Sequence, residues 1–271
     1  MALFLSWLTF RRLCLIIPNH QQKDNEIIHI LKVKELNIYH REQPLIKSVA
    51  LDVGRGDFHC IIGESGSGKS LLTRTILGME KASLTYEGHV EINLDKTDAM
   101  FQDVHSNLFQ NMTLEKHFQY LYEATQSNLS QQQRNAEVVQ MLQMLGFDNG
   151  EELLNYYPFE LSGGMAQRVA FIMSLIRQPE CLVVDEPTSA LDKENSDKFM
   201  RYLIDAVNRY NMTIIFVTHD LNLVRTYATH ISIMQHGEII ESGKATTILE
   251  NPKHDYTKKL ISIAQRRRND A

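Results

Sequence analysis

The sequence has few cysteines, and they form no recognisable binding pattern. Cys14, Cys60 and Cys181 are widely separated among 271 residues, and they fit neither the spacing of a metal site nor a disulfide framework. So few cysteines are typical of a reducing compartment, where disulfide bonds are rare. Because Cys60 and Cys181 lie within apolar segments, we expect both thiols to be buried in the core.

The sequence also lacks an uninterrupted apolar segment of membrane-spanning length. Its apolar N-terminal stretch is broken by Arg11 and Arg12, whereas a spanning helix needs about 20 consecutive apolar residues. A secretory signal carries its positive charges before the apolar region and not within it. We expect residues 1–26 to form a poorly ordered extension; an interfacial membrane contact and a start site placed too far upstream are the alternatives.

An excess of positive charge is absent as well. The formal net charge is −5, which gives no indication of a nucleic-acid partner. Basic residues cluster only near the C-terminus, at Arg266, Arg267 and Arg268, and we interpret residues 264–271 as a solvated basic tail, with a lipid or nucleic-acid patch as the alternative. No internal repeat is present, and the length suits one large domain or one domain with a small subdomain.

Apolar periodicity predicts strands and helices in alternation. The segments "HILKVKELNIY" and "LIKSVALDV" alternate apolar and polar residues, which predicts an antiparallel layer at the start of the domain. Helical spacing runs from about Leu114 to Leu145 and again from Lys193 to Tyr210. Further strands are predicted at "DFHCIIG", "EGHVEIN", "CLVVDEP", "MTIIFVTHD" and "HISIMQHGEIIESG". Strand, helix and strand in this order predict a parallel sheet with right-handed crossovers.

The segment "GESGSGKS" matches the phosphate-binding P-loop pattern, with a predicted strand before it and a predicted helix after it. Gly66 and Gly68 allow backbone N–H groups to turn inward around a phosphate. Lys69 supplies a positive charge near the β- and γ-phosphates, and Ser70 supplies a hydroxyl to Mg²⁺. Alone, the motif does not separate a GTPase, a kinase and a motor ATPase. The predicted nucleotide-binding residues here are Gly63, Glu64, Ser65, Gly66, Ser67, Gly68, Lys69, Ser70 and Leu71.

The apolar strand "CLVVDEP" ends in two acids. Asp185 is predicted to hold the Mg²⁺ shell, because a carboxylate at the end of a buried strand can lie next to a P-loop. Glu186 is predicted to orient and deprotonate the water that attacks the γ-phosphate. His219 follows the strand of "FVTHD", and we interpret it as a phosphate-sensing residue rather than a structural histidine. Gln102 precedes the helical segment, where an exposed loop residue is the simpler interpretation.

Taken in order, "GESGSGKS", Gln102, "LSGGM", "CLVVDEP", "SALD" and His219 resemble the nucleotide-binding subunit of an ABC transporter. The resemblance extends from about Ile27 to Ile263. It implies an α/β fold with a P-loop NTPase core, a mixed or parallel sheet, an N-terminal antiparallel β layer and an inserted helical subdomain at about 103–175. It also implies hydrolysis of ATP with Mg²⁺.

The resemblance assigns roles to further residues. It implies that Ser162, Gly163 and Gly164 cap the γ-phosphate bound to a second subunit in a head-to-tail dimer, and that Tyr39 stacks on adenine. Gln102 resembles the loop residue that contacts Mg²⁺ or water and senses the membrane subunit. The range 189–192, including Asp192, resembles the loop that crosses the dimer interface, and His219 resembles the switch histidine.

The tail "NPKHDYTKKLIS" and the segment "YYPFELSGGMAQR" are similar to the oligopeptide, dipeptide and nickel importers, especially nickel and metallophore members. Two features depart from this group. A C-terminal cysteine cluster for an iron–sulfur centre is absent, and "MFQDVHSNLFQNMT" lacks the usual proline after the Gln-Asp pair, in the segment that the resemblance assigns to the contact with the membrane subunit.

The resemblance implies an assembly at the cytoplasmic face of the cell membrane. Its implied partners are two permease subunits, a second ATP-binding subunit that is either identical or homologous, and an extracytoplasmic solute-binding protein. The cargo stays open between nickel, a metal chelate and peptides. An ABC-type ATPase of DNA repair or translation is the alternative. Repair ATPases insert a long coiled coil or zinc modules before the LSGG motif, and those of translation carry two such domains in one chain.

Overall fold

The computed structural model describes residues 28–101, 104, 108–188 and 191–269. It begins with a three-stranded antiparallel sheet of β1 (His29–His40), β2 (Gln43–Gly54) and β4 (Thr85–Ile92), with β1 in the middle. Alternate residues of β2 are buried, so that one face of this sheet covers the core and the other meets solvent. The predicted antiparallel layer is therefore confirmed.

A second sheet of six strands forms the centre of the molecule. Its strands are β3 (Phe58–Ile62), β5 (Thr97–Met100), β6 (Cys181–Asp185), β7 (Thr213–Thr218), β8 (His230–Gln235) and β9 (Glu238–Lys244). They lie in the order β5-β6-β7-β3-β8-β9, and every neighbouring pair is parallel except β8 and β9. This mixed sheet confirms the predicted fold class.

Strand β3 shows why the central sheet is apolar throughout. All its residues are buried, as expected for a parallel strand that is covered on both faces. Because side chains alternate across a strand, Phe58, Cys60 and Ile62 pack with the helical part of the molecule, whereas Ile61 packs with the N-terminal sheet. Cys60 and Cys181 are both buried free thiols, as predicted.

The helices between β5 and β6 form a group of their own. They are α2 (Leu114–Ala124), α3 (Gln131–Met144), α4 (Gly150–Leu153) and α5 (Gly163–Ile176). The helical segment predicted from about Leu114 to Leu145 is thus present as α2 and α3. Ser130 caps α3 and exchanges hydrogen bonds with Gln133, which gives the second helix its own start.

The remaining helices flank the central sheet. They are α1 (Lys69–Ile76), α6 (Lys193–Tyr210), α7 (Leu221–Tyr227), α8 (Ala245–Glu250) and α9 (Asp255–Asn269). The segment 264–269, interpreted from the sequence as part of a tail, continues α9. Among the residues that the structure describes, none of the helices combines the length and the apolar character needed to span a membrane. The predicted extension, residues 1–26, lies outside the described residues.

Candidate nucleotide-binding site

The phosphate loop connects the carboxyl end of β3 to the first residue of α1. This is the edge of an open α/β sheet where ligands bind. Gly68 caps the helix with φ of +106°, and Gly66 has φ of +80°, conformations that residues with a side chain rarely adopt. A Cβ atom at Gly63 would lie 2.2 Å from the carbonyl oxygen of Met234 at the end of β8. The glycine pattern therefore serves both loop curvature and close packing.

Lys69 folds back over this loop. Its Nζ donates hydrogen bonds to the carbonyl oxygens of Gly63, at 2.8 Å, and Glu64, at 2.9 Å. Burial lowers the pKa of Lys69, while the nearby carboxylates of Glu186 and Asp185 act in the opposite direction. The structure thus places the predicted cation at the loop that would cradle a phosphate.

Asp185 and Ser70 meet beside Lys69. Strand β6 is separated from β3 only by β7, so Asp185 at its carboxyl end lies next to the phosphate loop. The Ser70 hydroxyl bonds to the Asp185 side chain, whose Oδ1 is buried and has no hydrogen-bond partner in the described structure. Burial raises the pKa of Asp185, and the Ser70 hydrogen bond opposes that change. A hydroxyl and a buried carboxylate oxygen are ligands that suit Mg²⁺.

Glu186 and His219 are also brought together. The backbone of Glu186 has φ of +47°, and its N–H donates to the carbonyl oxygen of Val217 on the neighbouring strand β7. This unusual backbone conformation is typical of functional sites. His219 Nδ1 lies 3.5 Å from Glu186 Oε1, and the His219 side chain is 62% exposed. An exposed histidine in contact with the predicted base can respond to a group that binds in front of it.

Ser162 caps the helix that begins at Gly163. Its Oγ accepts a hydrogen bond from the N–H of Met165 at 3.3 Å, which satisfies one of the free donors of the first turn. Ser162 and Gly163 are exposed, and a Cβ atom at Gly163 would have no neighbour within 4 Å. The helix tip therefore faces outward, away from contacts within its own chain.

Comparison with known proteins matches the ABC transporter family model to residues 46–189. That range contains the phosphate loop, the capped helix tip and the Asp185–Glu186 pair. The chain belongs to the ABC transporter family.

Curated members of the family align with most of the chain. The dipeptide transport ATP-binding protein DppD of Lactococcus lactis subsp. cremoris is 31% identical over 84% of this chain and 71% of its own length. The methionine import ATP-binding protein MetN of Streptococcus pneumoniae is 31% identical over 87% of this chain and 70% of its own length.

Solved ABC structures share the fold. One is cbiO1 of Clostridium perfringens, described as part of the ABC transporter complex cbiONQ, with a TM-score of 0.68, 26% identity and coverage of 83% of this chain and 92% of that one. Another is the dimeric ATP-binding cassette MJ0796 in a post-hydrolysis state bound to ADP and Pi. It has a TM-score of 0.69 and 29% identity, over 79% of this chain and 98% of that one.

The family binds and hydrolyses ATP with Mg²⁺, and this ABC chain is accordingly an ATPase. The described residues fit both groups. At Gly66 an added Cβ atom would have no neighbour within 4 Å, so the loop is open there to a phosphate, and the orphaned Asp185 Oδ1 next to Ser70 is suited to a divalent cation.

Other predicted site residues of this ABC chain have fewer contacts with the group of Lys69, Asp185 and Glu186. Tyr39 is half-buried near the end of β1, opposite Pro44 and Thr85. Asp192 caps α6, where its carboxylate accepts hydrogen bonds from the backbone and side chain of Asn195. The backbone bond to Asn195 contributes most to lowering the pKa of Asp192. Gln102 and Ser189 lie outside the described residues.

Sequence reasoning missed a connection between the capped helix and the acid pair. Gln167 of α5 is buried, and its Nε2 donates to the carbonyl oxygen of Pro187, directly after Glu186. The contact joins two segments that the sequence treats as separate motifs. Its only sequence signal was a glutamine inside "YYPFELSGGMAQR", because spacing alone does not reveal which carbonyl a buried amide meets.

Proposed function

We propose that this chain is the ATP-binding and ATP-hydrolysing subunit that energises a membrane importer. The observation that carries the proposal is the convergence of Lys69, the Ser70–Asp185 pair and Glu186 at the carboxyl edge of one sheet. The importer assignment is supported by relatives named for dipeptide, methionine and oligopeptide transport.

The phosphate loop performs the binding step. Backbone N–H groups of the loop and the positive end of α1 attract an anion, and Lys69 adds a full charge. Mg²⁺ held by Ser70 and Asp185 would neutralise charge on the phosphates. Because Asp185 is buried, water competes little for this position.

Glu186 performs the chemical step. Its carboxylate accepts a proton from a water molecule as that water attacks the γ-phosphate. Its backbone is fixed by the bond to Val217, which holds the side chain at the strand end. His219, 3.5 Å away, orients the carboxylate or senses the terminal phosphate.

A second ATP-binding subunit completes each site. Ser162, Gly163 and Gly164 form an outward-facing helix tip that suits an anion bound to another copy or to a homologous chain. Tyr39 would stack on the adenine, and residues 189–192 would cross the interface. Gln102 would contact Mg²⁺ or water and the membrane subunit. Nucleotide-driven closure of the pair moves the permease subunits, because the nucleotide binds the closed state more tightly than the open one.

The nucleotide-binding domain would extend over residues 27–263, with the helical subdomain at about 103–175. The assembly would lie at the cytoplasmic face of the cell membrane, with two permease subunits and an extracytoplasmic solute-binding protein. The relatives above are named as transport proteins, so an ATPase of DNA repair or translation is not favoured.

The cargo that the relatives favour is a short peptide or an amino acid. The resemblance of "YYPFELSGGMAQR" to nickel and metallophore importers keeps a metal chelate as the second candidate. Deleting this chain and measuring uptake of a labelled dipeptide, methionine and nickel separates them. We expect dipeptide uptake to fall and a plasmid-borne copy to restore it. Unchanged uptake of all three would contradict the importer role; loss of nickel uptake alone would reverse the order of the two cargoes.

A further inference from the structure

The last helix of the chain reaches the phosphate loop through one tyrosine. Tyr256 lies in the first turn of α9 and is 8% exposed. Its hydroxyl oxygen accepts a hydrogen bond from the backbone N–H of Glu64 at 3.0 Å. Tyr256 belongs to the C-terminal segment "NPKHDYTKKLIS" and is not among the predicted site residues.

The peptide group that is hydrogen-bonded to Tyr256 is also hydrogen-bonded to Lys69. The carbonyl oxygen of Gly63 and the N–H of Glu64 belong to the same peptide unit, and in a trans peptide they point in opposite directions. Lys69 Nζ donates to that carbonyl at 2.8 Å. The ammonium, the peptide and the phenol oxygen therefore form one continuous chain of hydrogen bonds, in which each bond polarises the next.

Tyr256 is itself held in place from a second element. Glu241 of β9 accepts hydrogen bonds from the N–H groups of Lys253, at 2.9 Å, and His254, at 3.2 Å. The His254 ring then accepts the N–H of Tyr256 at 3.2 Å, and Thr257 is fully buried. The start of α9 is thus fixed against the central sheet, and these bonds fix the position of Tyr256 relative to the phosphate loop.

We propose that Tyr256 is a positioning residue of the phosphate loop. It fixes the plane of the peptide between Gly63 and Glu64, and this peptide keeps the Lys69 ammonium where the phosphates bind. The inference deepens the proposed function and rests on it. The position of α9, a helix distant in sequence from the P-loop, therefore also determines nucleotide affinity.

Tyr256→Phe tests this role, because it removes the acceptor oxygen and keeps the ring. Tyr86→Phe is the matched control, since the Tyr86 hydroxyl also accepts a backbone N–H, from Lys81 at 2.8 Å, in a loop beyond α1. Binding of MgADP to the full chain, the KM and kcat for ATP, and hydrogen exchange of the peptide spanning 61–68 are measured for both.

For Tyr256→Phe we expect nucleotide affinity to fall about three- to tenfold, with KM rising similarly and kcat within about twofold of wild type. Hydrogen exchange of the peptide 61–68 should rise. Thermal stability should fall by the same amount in Tyr256→Phe and Tyr86→Phe, and the nucleotide affinity of Tyr86→Phe should stay unchanged. Glu241→Ala, which loosens the start of α9 without touching the ring, shifts affinity in the same direction.

Lys69→Ala separates a failure of the positioning role from a failure of the proposed function. If Lys69→Ala abolishes nucleotide binding while Tyr256→Phe and Glu241→Ala bind as wild type, the positioning role is wrong and the proposed function stands. If Lys69→Ala binds nucleotide as wild type, the proposed function fails and the inference with it. Affinity that falls equally in Tyr256→Phe and Tyr86→Phe would also overturn the positioning role.

Discussion

At the scale of single residues, the candidate site is built from polar groups that are buried. The Oδ1 atom of Asp185 is buried without a hydrogen-bond partner in the described structure, and Lys69 is bonded to backbone carbonyls instead of to a carboxylate. A buried polar atom without a partner is costly. Such an arrangement is retained in a folded protein when a bound group completes it.

Glu186→Gln tests the proposed base. Glutamine keeps the size and a hydrogen-bonding oxygen but cannot accept the proton from water, so we expect kcat for ATP to fall at least about 100-fold while MgATP still binds. The measurement is steady-state hydrolysis together with equilibrium binding. Glu151→Gln, on the exposed face of α4, is the control and should hydrolyse ATP at the wild-type rate. Normal turnover by Glu186→Gln would remove the residue from this role.

At the scale of elements, the central sheet contains a buried polar cluster away from the nucleotide. His59 of β3 is 2% exposed, and its Nε2 lies 2.8 Å from the hydroxyl of Ser232 on β8, which contacts Ser242 on β9. The His230 ring stacks at 6.1 Å from His59 and bonds to Asp57. Burial, followed by the neighbouring His230, lowers the pKa of His59 to about 4, although Asp57 and Asp52 act in the opposite direction.

This shift predicts acid sensitivity of the fold. Well above pH 6.5, the ordinary pKa of histidine, His59 is neutral in the folded and unfolded states and adds no pH dependence. As the pH falls from 6.5 towards 4, the unfolded chain takes up a proton that the folded chain resists. The free energy of unfolding therefore decreases, by at most roughly 3 kcal/mol.

Urea denaturation between pH 7.5 and 4.5 measures this effect. We expect wild type to lose stability towards acid faster than His59→Asn, so that the stability difference between the two narrows as the pH falls. His89→Asn, at an exposed position of β4, should follow the wild-type curve. A constant difference between wild type and His59→Asn across the range would contradict the assignment.

At the scale of the whole molecule, the two proposed anion-binding tips lie on different parts of one chain. The first is the phosphate loop at the edge of the central sheet, and the second is the Ser162 tip at the start of α5. Gln167 connects α5 to the carbonyl of Pro187, so that the helix bearing the exposed tip is bonded to the segment following Glu186. This geometry suits a dimer in which each chain supplies half of each site.

A helix-tip variant tests the shared site. Gly163→Glu places a negative charge at the exposed tip, where the structure has open space for it, and an acidic residue in the first helical turn does not destabilise the helix. In a Glu186→Gln background with MgATP, we expect a dimer with a second copy or with a co-expressed companion ATPase. Adding Gly163→Glu should abolish that dimer.

Light scattering with and without MgATP gives the mass, and thermal unfolding of the nucleotide-free chain is the control. Equal melting temperatures with and without Gly163→Glu would show that only association has changed. A nucleotide-dependent dimer that survives the substitution would contradict the role of this tip.

The sequence by itself determined the motifs and most of the elements, because their signals are local. A glycine-rich loop after an apolar strand, a serine before two glycines and a strand that ends in Asp185 and Glu186 each follow from a few consecutive residues. The helix predicted at about Lys193 to Tyr210 has those bounds in the structure, because its amphipathic spacing is a local signal. The helical segment predicted from about Leu114 to Leu145 is present as α2 and α3, and only the turn between them was not located from the sequence.

Only the tertiary structure decided which of these segments touch. The motifs led us to expect Asp185 beside the phosphate loop and His219 near the proposed base, and the strand order β5-β6-β7-β3-β8-β9 is the arrangement that puts them there. It also brings the Tyr256 hydroxyl, 192 positions away, to the N–H of Glu64. Contacts at such separations depend on how sheets and helices pack around a common core, and neither periodicity nor residue spacing carries that information.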